Sequence, residues 1–189
     1  NGSRTICHYR DLPELSLQQL KQIQPDSYQW IHFEGRNIPV LLEYLPLLHN
    51  LHAVPISLEI EKPRADIEKL LPYVSVVIVS NDYLKQQHNS AHACIKQFAE
   101  INPQLKIVCT QGSKGLIAAD EQKEIIELKA EAVVKVVDSI GAGDCFIAGL
   151  ISRLSQRQSF KQALIFANKL AAIKVQHHGM NFNTECFNE

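Results

Sequence analysis

Short runs of apolar, largely β-branched residues alternate along this chain with longer segments that have the periodicity of amphipathic helices. The run at 74–79 is apolar at most consecutive positions, a pattern typical of strands that are buried on both faces of a parallel sheet. The alternation predicts an α/β fold, with a mostly parallel sheet flanked by helices. We expect strands at residues 4–9, 29–33, 54–60, 74–79, 106–109, 116–119 and 133–137.

Helix signals fill most of the intervals between these runs. Ser16 is a good N-cap residue and Pro39 suits a first helical turn, whereas Pro46 is expected to kink or end the helix that contains it. No repeat, linker or low-complexity segment interrupts the chain, so we predict a single domain over residues 1–189. We predict helices at residues 16–24, 38–49, 64–71, 90–100, 145–155 and 160–175, and a hairpin that joins strands at 116–119 and 124–128.

The composition excludes several classes of protein. The chain has 19 basic and 20 acidic side chains and no basic patch, so we expect neither a nucleic-acid nor a membrane partner. No apolar segment approaches the roughly 20 residues of a membrane span. The five cysteines are odd in number and contain no CxxC pair, which favours free thiols and a cytoplasmic protein. His177 and His178 are adjacent and point in different directions, so we predict no metal site there.

The segment from 133 to 150 carries the clearest chemical signal. An apolar run leads into Gly141, Ala142 and Gly143, and a helical pattern follows. A strand, turn and helix in this order expose backbone N–H groups where the helix dipole is positive, and glycine lets a phosphate approach them closely. The turn is therefore a candidate anion hole. Asp144, next in sequence, is either a helix cap or a general base for a hydroxyl that attacks a phosphoryl group.

A second glycine-containing turn, at 110–115, follows the strand expected at 106–109. By itself a turn of this kind is a weak signal. Ligands of open α/β sheets bind at the carboxyl ends of the strands, however, and both turns are expected there. Neither turn has the spacing of a Walker loop or of the dinucleotide-binding motif. The two turns together predict a phosphate-binding edge of the sheet.

The string D-S-I-G-A-G-D-C-F at 138–146 resembles the signature D-T-x-G-A-G-D-x-F of the ribokinase-like, or pfkB, carbohydrate kinases, with Ser139 in place of threonine. The strings at 1–6, 30–37 and 57–64 resemble the branch of that family that phosphorylates ketoses. The resemblance runs from residue 1 to residue 179. It implies a ribokinase-like sheet flanked by helices, and an ATP-dependent sugar kinase that converts D-fructose to fructose 1-phosphate.

The resemblance also implies roles for individual residues. Asp144 matches the catalytic base, which also contacts the sugar, and Gly141, Ala142 and Gly143 match the anion hole for the transferring phosphoryl group. The implied substrates are a sugar and ATP with Mg²⁺, and the family also suggests K⁺ as a structural activator. The nucleotide-binding residues that the resemblance implies are Arg4, Gly112, Ser113, Lys114, Gly115 and Asn168.

Two departures from the family pattern affect this interpretation. The N-x-x-E motif expected after the strand at 74–79 is replaced by S-N-D-Y-L at 80–84, a loss that the ketose branch shares. The N-terminal third of the family, with its sugar-binding residues and lid, has no counterpart here, so we expect the intact enzyme to dimerise through that lid and the chain alone to be inactive. Two alternatives stay open: a kinase with another acceptor, such as ribose, adenosine or a different hexose, and a truncated, non-catalytic nucleotide-binding isoform.

Overall fold

The computed structural model describes residues 11–51, 53–180 and 182. The strand expected at 4–9 lies outside the described residues. The described chain divides into two compact units, which we call the sheet unit, residues 11–127, and the helical unit, from residue 128 onward. The single domain expected from the sequence stays a prediction.

The sheet unit is built on a six-stranded sheet. Its strands are β1 Ile31–Glu34, β2 Ile56–Ile60, β3 Val76–Val79, β4 Lys106–Thr110, β5 Leu116–Ala119 and β6 Ile125–Leu128, and they lie in the sheet in this order. Strands β1 to β4 pair in parallel, and β5 pairs antiparallel with β4. The α/β class and the mostly parallel sheet expected from the apolar runs are confirmed, with an antiparallel addition after β4.

Helices connect these strands. The α-helices of the sheet unit are α1 Leu17–Leu20, α2 Ile38–Leu51, α3 Asn81–Gln86 and α4 Ala91–Ile101, and 3₁₀ helices span Pro25–Ser27, Ile67–Tyr73 and Gly112–Lys114. Ser16 caps α1 as expected, because its hydroxyl accepts the N–H of Gln19 at 3.3 Å. Ser80 caps α3, a helix that the sequence analysis did not predict.

Burial of aliphatic side chains explains why the sheet forms. Strand β2 places Leu58 and Ile60 in the core with no exposed surface, and Val77 and Val79 of β3 lie beside them. Helix α4 contributes its apolar face to the same core. Each such side chain stabilises the fold by about 1.5–3 kcal/mol when it leaves water.

The helix expected at 38–49 is confirmed as α2. It continues through Pro46 to Leu51, so of the two outcomes expected at this proline, a kink or an end, the helix does not end there. Burial of Leu45 and Leu48 on either side of the proline compensates for the one backbone hydrogen bond that proline removes. The α-helix expected at 64–71 is instead the 3₁₀ helix Ile67–Tyr73, which Asp66 precedes in a left-handed conformation at φ 65°.

The strand expected at 133–137 is also wrong. This segment forms no strand and is attached to the end of a helix: the N–H groups of Val137 and Asp138 donate to the carbonyl oxygen of Val175 at 2.7 and 3.1 Å. The side chain amide oxygen of Gln176 accepts the N–H of Val134 at 3.2 Å. A helix end therefore supplies the hydrogen-bond partners that a neighbouring strand was expected to supply.

The helical unit consists of a pair of helices, α5 Ala142–Ser155 and α6 Phe160–Lys174, together with the segments on either side. Gly149 lets the two helices approach closely, because a Cβ atom there would lie 3.2 Å from the Cα atom of Ala167. Ser159 and Gln162 form a capping box that fixes the start of α6. Among the described residues, no helix combines the length and the apolar character needed to cross a membrane.

Candidate active site

The glycine turn leads directly into α5. Gly141 is the N-cap of the helix and adopts a left-handed conformation at φ 79°, which glycine tolerates best. The first helical hydrogen bond runs from the N–H of Cys145 to the carbonyl oxygen of Gly141 at 2.9 Å. The helix therefore begins three residues earlier than the expected start at 145.

The start of α5 presents backbone N–H groups for which the described part of the chain supplies no acceptor. The N–H groups of Gly143 and Asp144 lie in the first helical turn, where no intrahelical acceptor exists, and they donate to no described residue. Gly143 is exposed, and a Cβ atom there would find no atom within 4 Å. The backbone at Gly143 thus faces open space, with free N–H groups and the positive end of the helix dipole beside it. An anion fits this arrangement.

Asp144 is not the helix cap. It is the third residue of α5, so its carboxylate lies in the first turn, where the helix dipole favours a negative charge by about 0.3–1 kcal/mol. The side chain is exposed and makes no hydrogen bond or ion pair with any described residue. Its oxygens are therefore accessible to a hydroxyl group of a ligand, which is one requirement of a general base.

Asp138 anchors the segment that leads into the turn. One carboxylate oxygen, Oδ1, accepts the N–H of Ile140 at 2.9 Å, and the other, Oδ2, accepts the N–H of Gly179 at 3.2 Å. The ammonium nitrogen of Lys174 donates to the same Oδ2 at 3.2 Å. The hydrogen bond from Ile140, followed by that from Lys174, holds the pKa of the Asp138 carboxyl below its ordinary value.

The sequence analysis assigned no role to either member of this pair. The lysine interrupts an otherwise apolar stretch of α6, and the aspartate opens the motif that contains the turn. A charged residue at a helical position that should be buried is a signal that it has a partner, although the partner cannot be identified from the sequence.

The second glycine turn belongs to the sheet unit. Gly112–Lys114 form a 3₁₀ helix between β4 and β5, and the turn closes where the N–H of Gln111 donates to the carbonyl oxygen of Gly115 at 2.7 Å. Gly112 and Gly115 have φ values of 61° and 103°. Gly112, Ser113 and Lys114 are exposed at the carboxyl end of β4, the edge where the sequence analysis expected a ligand.

The remaining predicted nucleotide-binding residues are placed less directly. The side chain amide of Asn168, in α6, donates to the carbonyl oxygen of Lys129 at 2.8 Å, so its nitrogen already has a structural partner. Arg4 lies outside the described residues. The described residues contain no cluster of three His, Cys, Asp or Glu side chains suited to a metal ion.

Comparisons with solved structures identify the class of fold. Arabidopsis thaliana ribokinase in complex with ribose and ATP superposes with a TM-score of 0.67 at 20% identity, over 79% of this chain and 50% of that one. Adenosine kinase from Schistosoma mansoni in complex with adenosine and AMP gives a TM-score of 0.72 at 19% identity, over 90% of this chain and 58% of that one. The fold is that of the ribokinase-like kinases.

The sequence comparison identifies the family. The pattern of the pfkB family carbohydrate kinases matches residues 31–185, so this chain belongs to the pfkB family. It is 31% identical to ketohexokinase of Mus musculus over 191 residues, which cover 96% of this chain and 64% of that protein. The chain thus spans less than two thirds of the length of that relative. The family resemblance carried by 138–146 is confirmed.

Proposed function

We propose that the protein to which this chain belongs is an ATP-dependent ketose kinase that converts D-fructose to fructose 1-phosphate. The similarity to ketohexokinase along 96% of the chain supports the acceptor. The observation that carries the proposal is the exposed carboxylate of Asp144, which has no partner among the described residues and lies beside N–H groups at the start of α5 that donate to none of those residues.

In the proposed reaction, ATP enters as its magnesium complex and its γ-phosphoryl group lies against the turn formed by Gly141, Ala142 and Gly143. The free N–H groups and the helix dipole stabilise the negative charge on the transferring group. The Mg²⁺ ion would be held mainly by phosphate oxygens and water, together with one or two carboxylates.

Asp144 acts on the acceptor. Its carboxylate takes the proton of the sugar 1-hydroxyl as that oxygen forms a bond to the γ-phosphorus, and the bond from the γ-phosphorus to the bridging oxygen breaks to release ADP. Proton acceptance of this kind contributes about 10²- to 10⁴-fold to the rate. Alignment of the two substrates supplies much of the remainder.

The second turn is proposed to contact the nucleotide. Lys114 is exposed in a turn in which Gly112 and Ser113 are also exposed and Gly115 is buried, a setting in which an ammonium group and N–H donors can bind phosphate. Asn168 and Arg4 are assigned to the nucleotide on the family resemblance. We also propose that the enzyme is a cytoplasmic homodimer.

Another acceptor is the main competing proposal. Ribokinase of Dictyostelium discoideum is 33% identical over 87 residues, which cover 45% of this chain and 26% of that protein, so the kinase signature by itself does not specify fructose. The test is a panel of fructose, ribose, adenosine and glucose, assayed for ATP-dependent phosphorylation with the longest reading frame that contains this chain. Preference for ribose or adenosine would overturn the ketose assignment, and no phosphorylation of any acceptor would favour a non-catalytic nucleotide-binding protein.

A further inference from the structure

Lys174, at the end of α6, has an unusual environment for a lysine. Its side chain has no exposed surface, and among the described residues it is the only charged side chain that is fully buried. A buried ammonium group is costly unless oxygen atoms satisfy its charge and its three N–H donors. The residue must therefore have a compensating set of partners.

The ammonium nitrogen has three such partners, all within the helical unit. It donates to the backbone carbonyl oxygen of Asp138 at 3.1 Å, to the Oδ2 carboxylate oxygen of Asp138 at 3.2 Å, and to the carbonyl oxygen of His177 at 3.2 Å. Two carbonyls and one carboxylate that converge on one point form the kind of oxygen cluster that binds a hard cation. Here the cation is part of the protein.

The ammonium group supports the anion-binding turn through two routes. Asp138, which it holds, also accepts the N–H of Ile140, and Ile140 precedes Gly141. The lysine stem is also close to the turn, because a Cβ atom at Gly141 would lie 3.6 Å from its Cε atom. The ammonium group of Lys174 is thus held next to the backbone that leads into α5.

We propose that the ammonium group of Lys174 is the built-in monovalent cation of the glycine turn, in the place where a potassium ion would otherwise be required. The K⁺ that the family resemblance suggests does not fit this oxygen cluster, because the lysine nitrogen already fills it. Lys174 is a positioning residue: it acts on the turn through Asp138 and does not contact the substrate. The predicted effect of Lys174 on turnover rests on the proposed kinase activity. The predicted effect of Lys174 on how the melting temperature depends on the cation does not.

The experiment compares two substitutions in the longest reading frame that contains the chain. Lys174→Ala removes the charge and leaves a cavity lined by the three oxygens, so added K⁺ or NH₄⁺ should bind there and raise the melting temperature relative to tetramethylammonium at equal ionic strength. Lys174→Met removes the same charge but fills the space with an apolar chain, so neither ion should stabilise it. Lys169→Met, on an exposed position of the same helix, is the control for loss of a lysine.

Turnover gives the second measurement. The unsubstituted enzyme should work equally well in K⁺ and in tetramethylammonium. Lys174→Ala should lose about 10-fold or more in kcat without K⁺ or NH₄⁺ and recover most of it with either ion, with little change in KM for the sugar. The proposal is overturned if the unsubstituted enzyme needs K⁺ for turnover, and this measurement does not depend on any variant folding. It is also overturned if Lys174→Ala has the same melting temperature in all three salts. If no acceptor is phosphorylated, the kinase proposal fails while the melting temperatures still decide this one.

Discussion

A Cβ atom at Gly141 would lie 2.6 Å from the Sδ atom of Met180, so the turn before α5 and the segment after α6 are in close contact. Met180 can move aside because its side chain is flexible and 57% exposed. The backbone cannot adapt as easily, because Gly141 has a φ of 79°. Gly141 is therefore required first for its conformation, whereas Gly143 has room for a side chain.

This difference predicts opposite outcomes for two alanine substitutions. Gly141→Ala should lower the free energy of unfolding by about 1–2 kcal/mol, since a Cβ atom penalises the left-handed conformation. Gly143→Ala lies within the helix and should be neutral or stabilising by up to about 1 kcal/mol. Urea unfolding of both variants measures the two changes in unfolding free energy. Equal losses of stability would show that the left-handed conformation at Gly141 does not set the cost of the substitution.

A larger side chain at Gly143 should act on ligand binding rather than on folding. Gly143→Val places two methyl groups in the open space proposed for the γ-phosphoryl group, so ATP affinity should fall by about 10-fold or more, at least 1.4 kcal/mol. Ala148→Val, at an exposed position of the same helix, is the matched control. Calorimetric titration with ATP decides the matter once circular dichroism shows that both variants are folded. Unchanged affinity for Gly143→Val would exclude the turn as the anion hole.

The role of Asp144 predicts a selective loss of turnover. Asp144→Asn keeps the shape of the side chain but removes proton acceptance, so kcat should fall by at least about 100-fold while ATP affinity changes little. Asp120→Asn is a suitable control, because an asparagine there keeps the Oδ1 atom that accepts the N–H groups of Gln122 and Glu124. Near-normal turnover of Asp144→Asn would show that Asp144 is not the catalytic base. Its remaining role would then be a favourable interaction with the helix dipole.

The Asp138 and Lys174 pair predicts a dependence of stability on acid. The pKa of Asp138 is lowered from its ordinary value of 3.8, so the folded state binds its proton less readily than the unfolded state does. The stabilisation is therefore complete above about pH 4 and is lost as the pH falls through the lowered folded value. Asp138→Asn should be less stable than the unsubstituted protein at neutral pH, and the gap should narrow in acid. Urea unfolding from pH 7 to about pH 3 measures the difference in unfolding free energy between the two proteins. A difference that stays constant with pH would show that the Asp138 carboxylate is not its source.

The 189-residue chain by itself should not phosphorylate fructose. It spans 64% of the ketohexokinase it matches, and Asp144 is the one residue assigned to the sugar. A general base acts only when the hydroxyl is held within about 3 Å, which requires further contacts to the sugar. We expect the isolated chain to bind ATP weakly and to form no measurable fructose 1-phosphate. The longest reading frame should bind ATP and form fructose 1-phosphate. Turnover of about 1 per second or more by the isolated chain would contradict this.

Several elements could be predicted from the sequence because their causes are local. The buried strand β3 follows from four consecutive β-branched residues, and the start of α1 follows from the hydroxyl of Ser16. The glycines and Asp144 could be singled out because phosphate chemistry needs bare backbone and a nearby carboxylate. The predicted fold class needed no more than the alternation of strands and helices, whereas the family was predicted from the resemblance of the string at 138–146 to the pfkB signature.

One error has a cause that lies far away in sequence. Residues 133–137 are apolar enough for a strand, but the acceptor that their backbone finds is the carbonyl of Val175 at the end of a helix. Local propensity describes what a segment can form, and the partner that it meets decides what it does form.

The sequence by itself determined the alternation of strands and helices, the glycine turn and the identity of the candidate base, because these depend on residues that are neighbours along the chain. Only the tertiary structure decided that Asp144 is the third residue of α5 rather than its cap, and that Lys174 lies beneath the turn. Thirty-six residues separate Lys174 from Asp138, and no sequence pattern fixes a contact at that separation. The contact forms because α6 packs against α5, and a buried ammonium group must then find oxygen atoms to satisfy it.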